Sequence, residues 1–194
     1  MSQPQSREAE GLQALIATLQ SEAGLEKPRP APPVHMWNPE HCGDIGLEIL
    51  KDGVWRQNGV RFTREKLVRL FSTILRRDAD GFYLVTPHEK VVVKVHDAPF
   101  IVTRVDRTEA DSGASLVVTT NVGDVVVIGP DHPLEVRVDE DSGEPGAYVT
   151  VRGGLEARLC RPAWYELVSW AEESPDGRMR VRSMGETYSL GSIS

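Results

Sequence analysis

Asp80-Gly81-Phe82-Tyr83-Leu84-Val85-Thr86-Pro87-His88-Glu89-Lys90-Val91-Val92-Val93-Lys94-Val95 carries two β segments around one turn. Phe82 to Val85 and Val91 to Val95 are aromatic and β-branched, side chains that pack well on a pleated surface. Thr86-Pro87-His88-Glu89 between them has proline in second place, where its fixed φ presets a turn. The run is a β-hairpin. Just before it, Thr63 stands as N-cap to Arg64 through Leu75, in which Leu67, Leu70, Phe71, Ile74 and Leu75 form one apolar stripe. That spacing predicts an amphipathic helix lying on the sheet.

Upstream, Ile45, Leu47 and Ile49 alternate, Asp52-Gly53 turns the chain, and Val54-Trp55-Arg56 returns to a second tight turn at Asn58-Gly59. Earlier still, Ser6 caps a helix bearing Leu12, Leu15, Ile16 and Leu19, and Lys27 to Pro33 reads as a stiff polyproline linker. Downstream, Phe100 to Val105 resumes the strands after Pro99, and Asp111-Ser112-Gly113 separates a second β-rich half. There Leu116 to Thr120 and Val125 to Ile128 flank a turn at residues 121–124. Leu134 to Val138 pairs with Tyr148 to Arg152, and Gly153-Gly154 leads into Leu155 to Leu159. Pro162 opens a helix with Trp164, Leu167, Val168 and Ala171 on one face, and Asp176-Gly177 leads to Met179–Arg182 and a last strand at Tyr188.

The order of strand, arginine at a helix entry (Arg64, Arg161), amphipathic helix, Asp-Gly turn and hairpin occurs twice. The expected fold is therefore α+β, an internal duplication of a strand-helix-hairpin unit giving two β-rich halves, each with one packed helix. Residues 1–36 are an N-terminal helix and linker, 37–110 the first repeat and 111–194 the second. A groove between the copies is the expected pocket.

Composition narrows the class. With 194 residues and 40% hydrophobic content the chain can fill a core. Its 29 acids against 22 bases, net charge -7, oppose binding to long nucleic acid. No run approaches the roughly 18 apolar residues that span a bilayer, and the N-terminus lacks the basic and apolar regions of a signal peptide, so no membrane association and a cytoplasmic location are expected. Two cysteines, Cys42 and Cys160, argue against a disulfide framework; both read as small buried side chains.

Chemistry-bearing motifs are sparse. His41-Cys42-Gly43-Asp44 has metal-ligand residue types, but adjacent residues in extended chain point to opposite faces, so no metal site is expected. Gly153-Gly154 and Gly143-Glu144-Pro145-Gly146 match no phosphate-binding pattern and read as turns. Arg64, Lys66, Arg69, Arg76 and Arg77 lie on or beside the first helix, and Arg178, Arg180 and Arg182 alternate along one strand face. Arginine suits phosphate bidentately. No familiar catalytic motif is present, which lowers the enzyme reading without excluding it, and no cofactor is expected.

Several ordered segments resemble the bacterial family DUF1285. They are Asp52-Gly53-Val54-Trp55, Leu67-Val68-Arg69-Leu70-Phe71-Ser72, Thr86-Pro87-His88-Glu89-Lys90, Asp97-Ala98-Pro99-Phe100, His132-Pro133-Leu134, Tyr148-Val149-Thr150-Val151-Arg152 and Gly154-Leu155-Glu156-Ala157. The resemblance covers residues 37–192, with His96 where an acidic residue is usual. It implies a duplicated α+β core, a C-terminal half loosely like a pleckstrin-homology fold, a nucleotide-like ligand between the halves and a role in bacterial signal transduction.

Three functional readings stand. The leading one is a non-catalytic ligand-binding or regulatory protein holding a nucleotide-like anion between the repeats. In it Trp55, Tyr148 and Tyr165 offer faces for a base, Arg69, Lys90 and Arg152 meet phosphate, and Thr86, Glu89 and Asp97 hold polar edges. The second is a protein-interaction module or oligomerising scaffold, its strand edges and N-terminal helix docking on a protein partner or in a homodimer. The third is a phosphate-ester hydrolase with Glu89 or Asp97 as base.

Overall fold

The computed structural model describes residues 32–40, 42–110, 113–139 and 143–192. The expected N-terminal helix and His41 lie outside these residues. The chain divides into two compact units, one ending at Asp97 and the other beginning at Ala98.

The first unit opens with a 3-10 turn at Val34–Met36. It continues through β1 (Cys42–Ile49), β2 (Trp55–Gln57), β3 (Val60–Arg61), α1 (Glu65–Thr73), β4 (Leu75–Asp78), β5 (Gly81–Val85) and β6 (Lys90–Val95). These strands form one sheet in the order β3-β2-β1-β6-β5-β4. Two antiparallel meanders thus meet through β1 and β6, which run parallel. The meander turns fall where Asp-Gly and Asn-Gly were read. Val54 N–H donates to the Asp52 carboxylate at 3.0 Å, and Asn58 and Gly59 take φ of 46° and 81°, a positive pair that suits asparagine and glycine. The core gathers Leu47, Ile49, Trp55, Phe71, Ile74, Leu75, Leu84, Val91 and Val93, each fully buried large apolar side chain contributing about 1.5–3 kcal/mol.

Helix α1 is shorter than its periodicity suggests. Arg64, not Thr63, is its N-cap and makes no side-chain capping bond. At the other end, Leu75 opens β4 and pairs with Leu84, because the turn at Ala79-Asp80 lets residues 75–78 complete a ladder with β5.

The second unit contains β7 (Phe100–Ala110), β8 (Gly113–Thr120), β9 (Val125–Val127), β10 (Leu134–Val138), β11 (Pro145–Arg152), β12 (Leu155–Leu159), α2 (Arg161–Ser169), β13 (Glu172–Glu173), β14 (Arg178–Ser183) and β15 (Glu186–Ser192). Its main sheet runs β10-β11-β12-β7-β8-β9. Taken from the other edge, that is the strand order of the first sheet, with the first and last strands, β7 and β12, again forming the central parallel pair. The fold is thus α+β, rich in β, with a duplicated arrangement. The repeated element is the six-stranded sheet, however, and not a strand-helix-hairpin. Helix α1 joins the two meanders of its sheet, whereas α2 follows the completed second sheet and leads to the three-stranded sheet β13-β14-β15. Strand β7 belongs to the second sheet, so the units part at 97/98 rather than 110/111.

The small sheet is fastened to the large one through a buried hydroxyl. Ser183 Oγ donates to the Ile128 carbonyl at 2.6 Å and accepts from Leu116 N–H at 2.9 Å. Met184 N–H adds a bond to the Ala114 carbonyl at 3.1 Å. Helix α2 packs on β7, burying Ala163 and Leu167. No described helix is long and apolar enough to cross a membrane. Both cysteines are free thiols, and Cys42 is exposed rather than buried.

Candidate functional site

Most of the residues singled out in the sequence have structural employment. Trp55 is 1% exposed, its ring 6.0 Å from that of Phe71, so it presents no face to a ligand. Tyr148 is 8% exposed, with the guanidinium of Arg137 at 4.8 Å and that of Arg158 at 5.9 Å from its ring centre, so its ring face is already covered. Tyr165 remains exposed on α2. Thr86 is buried and ties its own turn, its Oγ1 accepting from Glu89 N–H at 3.1 Å and donating to the Glu89 carbonyl at 3.2 Å. Arg152 Nε donates to Asp124 at 3.2 Å while its guanidinium covers the Phe100 ring at 4.9 Å. Arg69 is exposed on α1, and Glu89 and Asp97 are half-buried.

Lys90 belongs to a cluster whose other members are not adjacent in sequence. Its ammonium donates to Asp78 at 2.7 Å and sits 3.7 Å from the Tyr83 ring centre. Arg76 donates to both oxygens of the same carboxylate, at 2.7 and 2.9 Å, and its remaining nitrogen donates to the Val34 and Trp37 carbonyls at 2.9 and 2.7 Å. The bond from Arg76, with Lys90 adding, holds the Asp78 carboxyl below its ordinary value against the opposing effect of burial. In turn the bond to Asp78 raises the Lys90 ammonium. This cluster straps the segment before β1 to strand β4, a structural task.

A cleft of about 420 Å³ opens among the described residues of the second unit. Leu116 and Val181, both buried, supply its apolar lining, and Arg107, Glu109, Trp170, Glu172, Arg180, Arg182 and Thr187 its larger side chains. Register explains the convergence. Glu172 pairs with Arg180 across β13 and β14, Arg182 pairs with Thr187 across β14 and β15, and residues two apart in a strand share a face. All four therefore project from one face of the small sheet. Arg107 and Glu109 share a face of β7 by the same rule.

The charged groups differ in commitment. Arg107 Nε donates to Glu109 at 2.9 Å, and Arg180 donates to Asp176 at 2.6 Å. The Ser174 hydroxyl, donating to Asp176, is the main cause of that carboxyl's lowered pKa, with Arg180 contributing. The side chains of Arg182 and Glu172 have no hydrogen bond or ion pair among the described residues. The cleft thus offers uncommitted donors on one side chain and uncommitted acceptors on another, beside an indole. None of the nine binding residues named from sequence lines it. The arginine alternation of β14 was legible there; Trp170 and Glu172 carried no signal beyond a helix end and a short acidic pair.

Two family models match end to end: "Domain of unknown function (DUF1285), N-terminal domain" over residues 32–98, and "Protein of unknown function (DUF1285), C-terminal domain" over residues 99–190. The crystal structure of a DUF1285 family protein from Silicibacter pomeroyi DSS-3 is similar, with 41% sequence identity, a TM-score of 0.81, and 90% of this chain and 95% of that one covered. This chain belongs to the DUF1285 family. A second DUF1285 crystal structure, from Shewanella baltica os155, matches with 29% identity and a TM-score of 0.49 over 64% of this chain and 91% of that one. No curated protein matches. The seam between the two DUF1285 domains, 98/99, adjoins the division of the units at 97/98, and the cleft falls wholly within the C-terminal domain.

Proposed function

We propose that this DUF1285 chain is a non-catalytic binding protein for a small anionic ligand, held in the cleft of its C-terminal domain. The observation that carries this is the convergence of Arg107, Arg180 and Arg182 on one cleft of about 420 Å³, with Arg182 unpaired among the described residues. That volume falls within the roughly 300–1,000 Å³ of small-molecule sites. Guanidinium is the side chain best shaped to grip phosphate or carboxylate in a fork. The Arg107–Glu109 and Arg180–Asp176 ion pairs are solvent-exposed and screened, so both arginines can exchange their partners for a ligand at small cost. The side chains lining the cleft place donors and acceptors without pairing a nucleophile to a base, which favours binding over turnover.

The nucleotide-like ligand and the signalling role expected from sequence join this proposal, with the site moved to a cleft inside one domain. The loose pleckstrin-homology likeness belongs to it too, supported by one helix and a small sheet that pack on a larger, mostly antiparallel one.

A thermal-shift screen against nucleotides, inorganic phosphate and simple carboxylates tests it. A ligand at 100 times its Kd adds about 2.7 kcal/mol of stability, a readily measured shift. The expected result is an anion-selective shift that Arg182→Ala abolishes; no shift across the panel, or one indifferent to Arg182, overturns the proposal.

Strand edges favour a second reading. Val60 on β3, Val125 on β9 and Val138 on β10 are 71%, 62% and 66% exposed on edge strands, where unpaired backbone invites another strand. Copies pairing edge to edge would show concentration-dependent mass in light scattering, lost in Val125→Lys or Val138→Lys.

A further inference from the structure

A carboxylate is an odd neighbour for an anion unless the ligand brings something for it. Glu109 is accounted for by its bond from Arg107, but Glu172 is not engaged by any described group. It lies diagonally across the β13-β14 ladder from Arg182, a separation of about 7–8 Å between neighbouring side-chain origins. A carboxylate only accepts, and a guanidinium only donates. An occupant that engages both carries an anionic group and N–H donors, and a planar body would suit Trp170, which lines the same cleft.

Among the nucleobases, guanine alone presents two adjacent N–H donors, N1–H and the 2-amino group, to match the two oxygens of one carboxylate. Adenine and cytosine set an acceptor beside their amino group, and uracil flanks its single N–H with two carbonyls. We infer that the cleft takes a guanine nucleotide: Arg182 on the phosphate, Trp170 against the base and Glu172 on its donor edge. This rests on the anion-binding reading above and deepens it.

The experiment is calorimetric titration of the full chain with GMP, IMP, AMP, UMP and inorganic phosphate, in the native sequence and in Glu172→Gln, Trp170→Leu and Arg182→Ala. IMP differs from GMP only by the missing 2-amino group, so GMP binds roughly tenfold more tightly if a charged hydrogen bond is at stake. Glu172→Gln, an exposed change that leaves the fold intact, removes most of that gap by weakening GMP more than IMP, because glutamine offers one acceptor oxygen where glutamate has two. Trp170→Leu weakens every nucleotide but not phosphate. Equal affinity for GMP and IMP, or a gap that Glu172→Gln does not alter, overturns the guanine assignment and leaves anion binding standing. Failure of nucleotides and phosphate alike, or binding untouched by Arg182→Ala, overturns both.

Discussion

Gly46 lies inside β1 with φ +71°, at the point where the register between β1 and β6 shifts. Its N–H donates to Asp44 at 2.9 Å, its carbonyl accepts from Asn58 N–H at 2.9 Å, and a Cβ there would lie 1.9 Å from Asn58 Oδ1. Gly46→Ala is expected to cost about 1–2 kcal/mol from the left-handed backbone alone, seen as a lower urea midpoint with unchanged slope. Asp78→Asn should cost about 1–3 kcal/mol at neutral pH, because Arg76 and Lys90 lose the charge and one of the two acceptor oxygens they share. Its sign with pH follows from the lowered carboxyl: the contribution is complete above the unfolded value of about 3.9 and fades as pH falls through the lower folded value. Native protein and variant should therefore converge in stability only below about pH 4. At this scale the sequence named residue types better than their surroundings. Trp55 and Tyr148 have the chemistry to stack a base, but the ring of Phe71 and the guanidiniums of Arg137 and Arg158 occupy them first.

At the scale of elements, the buried fastening of β14 to β8 is one hydroxyl, beside the Met184 N–H bond to the Ala114 carbonyl. Ser183→Ala strands the Leu116 N–H and the Ile128 carbonyl in the interior, and is expected to cost about 1–3 kcal/mol and to loosen the small sheet before the large one. Amide hydrogen exchange checks this: protection should fall first along residues 178–192, while that of β11 and β12 persists. Because Arg180 and Arg182 ride on the same strand, the proposed anion binding should weaken with it. Hairpins whose turns carry Asp-Gly, Asn-Gly or Thr-Pro were legible because the signal is local. The end of α1 was not. Leu75 continues the spacing of Phe71, so periodicity carries the helix into residues whose backbone is claimed by Leu84 and its neighbours. The cleft was half legible for the same reason: Arg180 and Arg182 alternate in plain sight, but Trp170, Glu172 and Arg107 reach them through pairings that leave no local mark.

For the whole molecule, duplication was readable and its unit was not. Helix entries with similar spacing drew attention to Arg64 and Arg161, yet the two helices hold different places in the strand order, and it is the sheets that repeat. Since the second sheet, its helix, the small sheet and every cleft residue lie after Asp97, a fragment of residues 98–194 is expected to fold and to bind as the full chain does. Circular dichroism should show one cooperative melt for it, and its titration with nucleotides should reproduce the intact protein; a fragment that folds but does not bind would place essential contacts elsewhere.

The central parallel ladder has a kinetic consequence. In each sheet the strands that meet in the middle are the first and last made, Cys42 pairing with Lys90 and Phe100 with Ala157, so the waist closes only after long stretches of chain are gathered. Until then each copy is a pair of half-sheets with naked inner borders, and the chain holds two such pairs of the same design. Nothing in the strand order tells one half which other half is its own. That choice falls to the side chains along the waist, where β1 and β7 carry different residues.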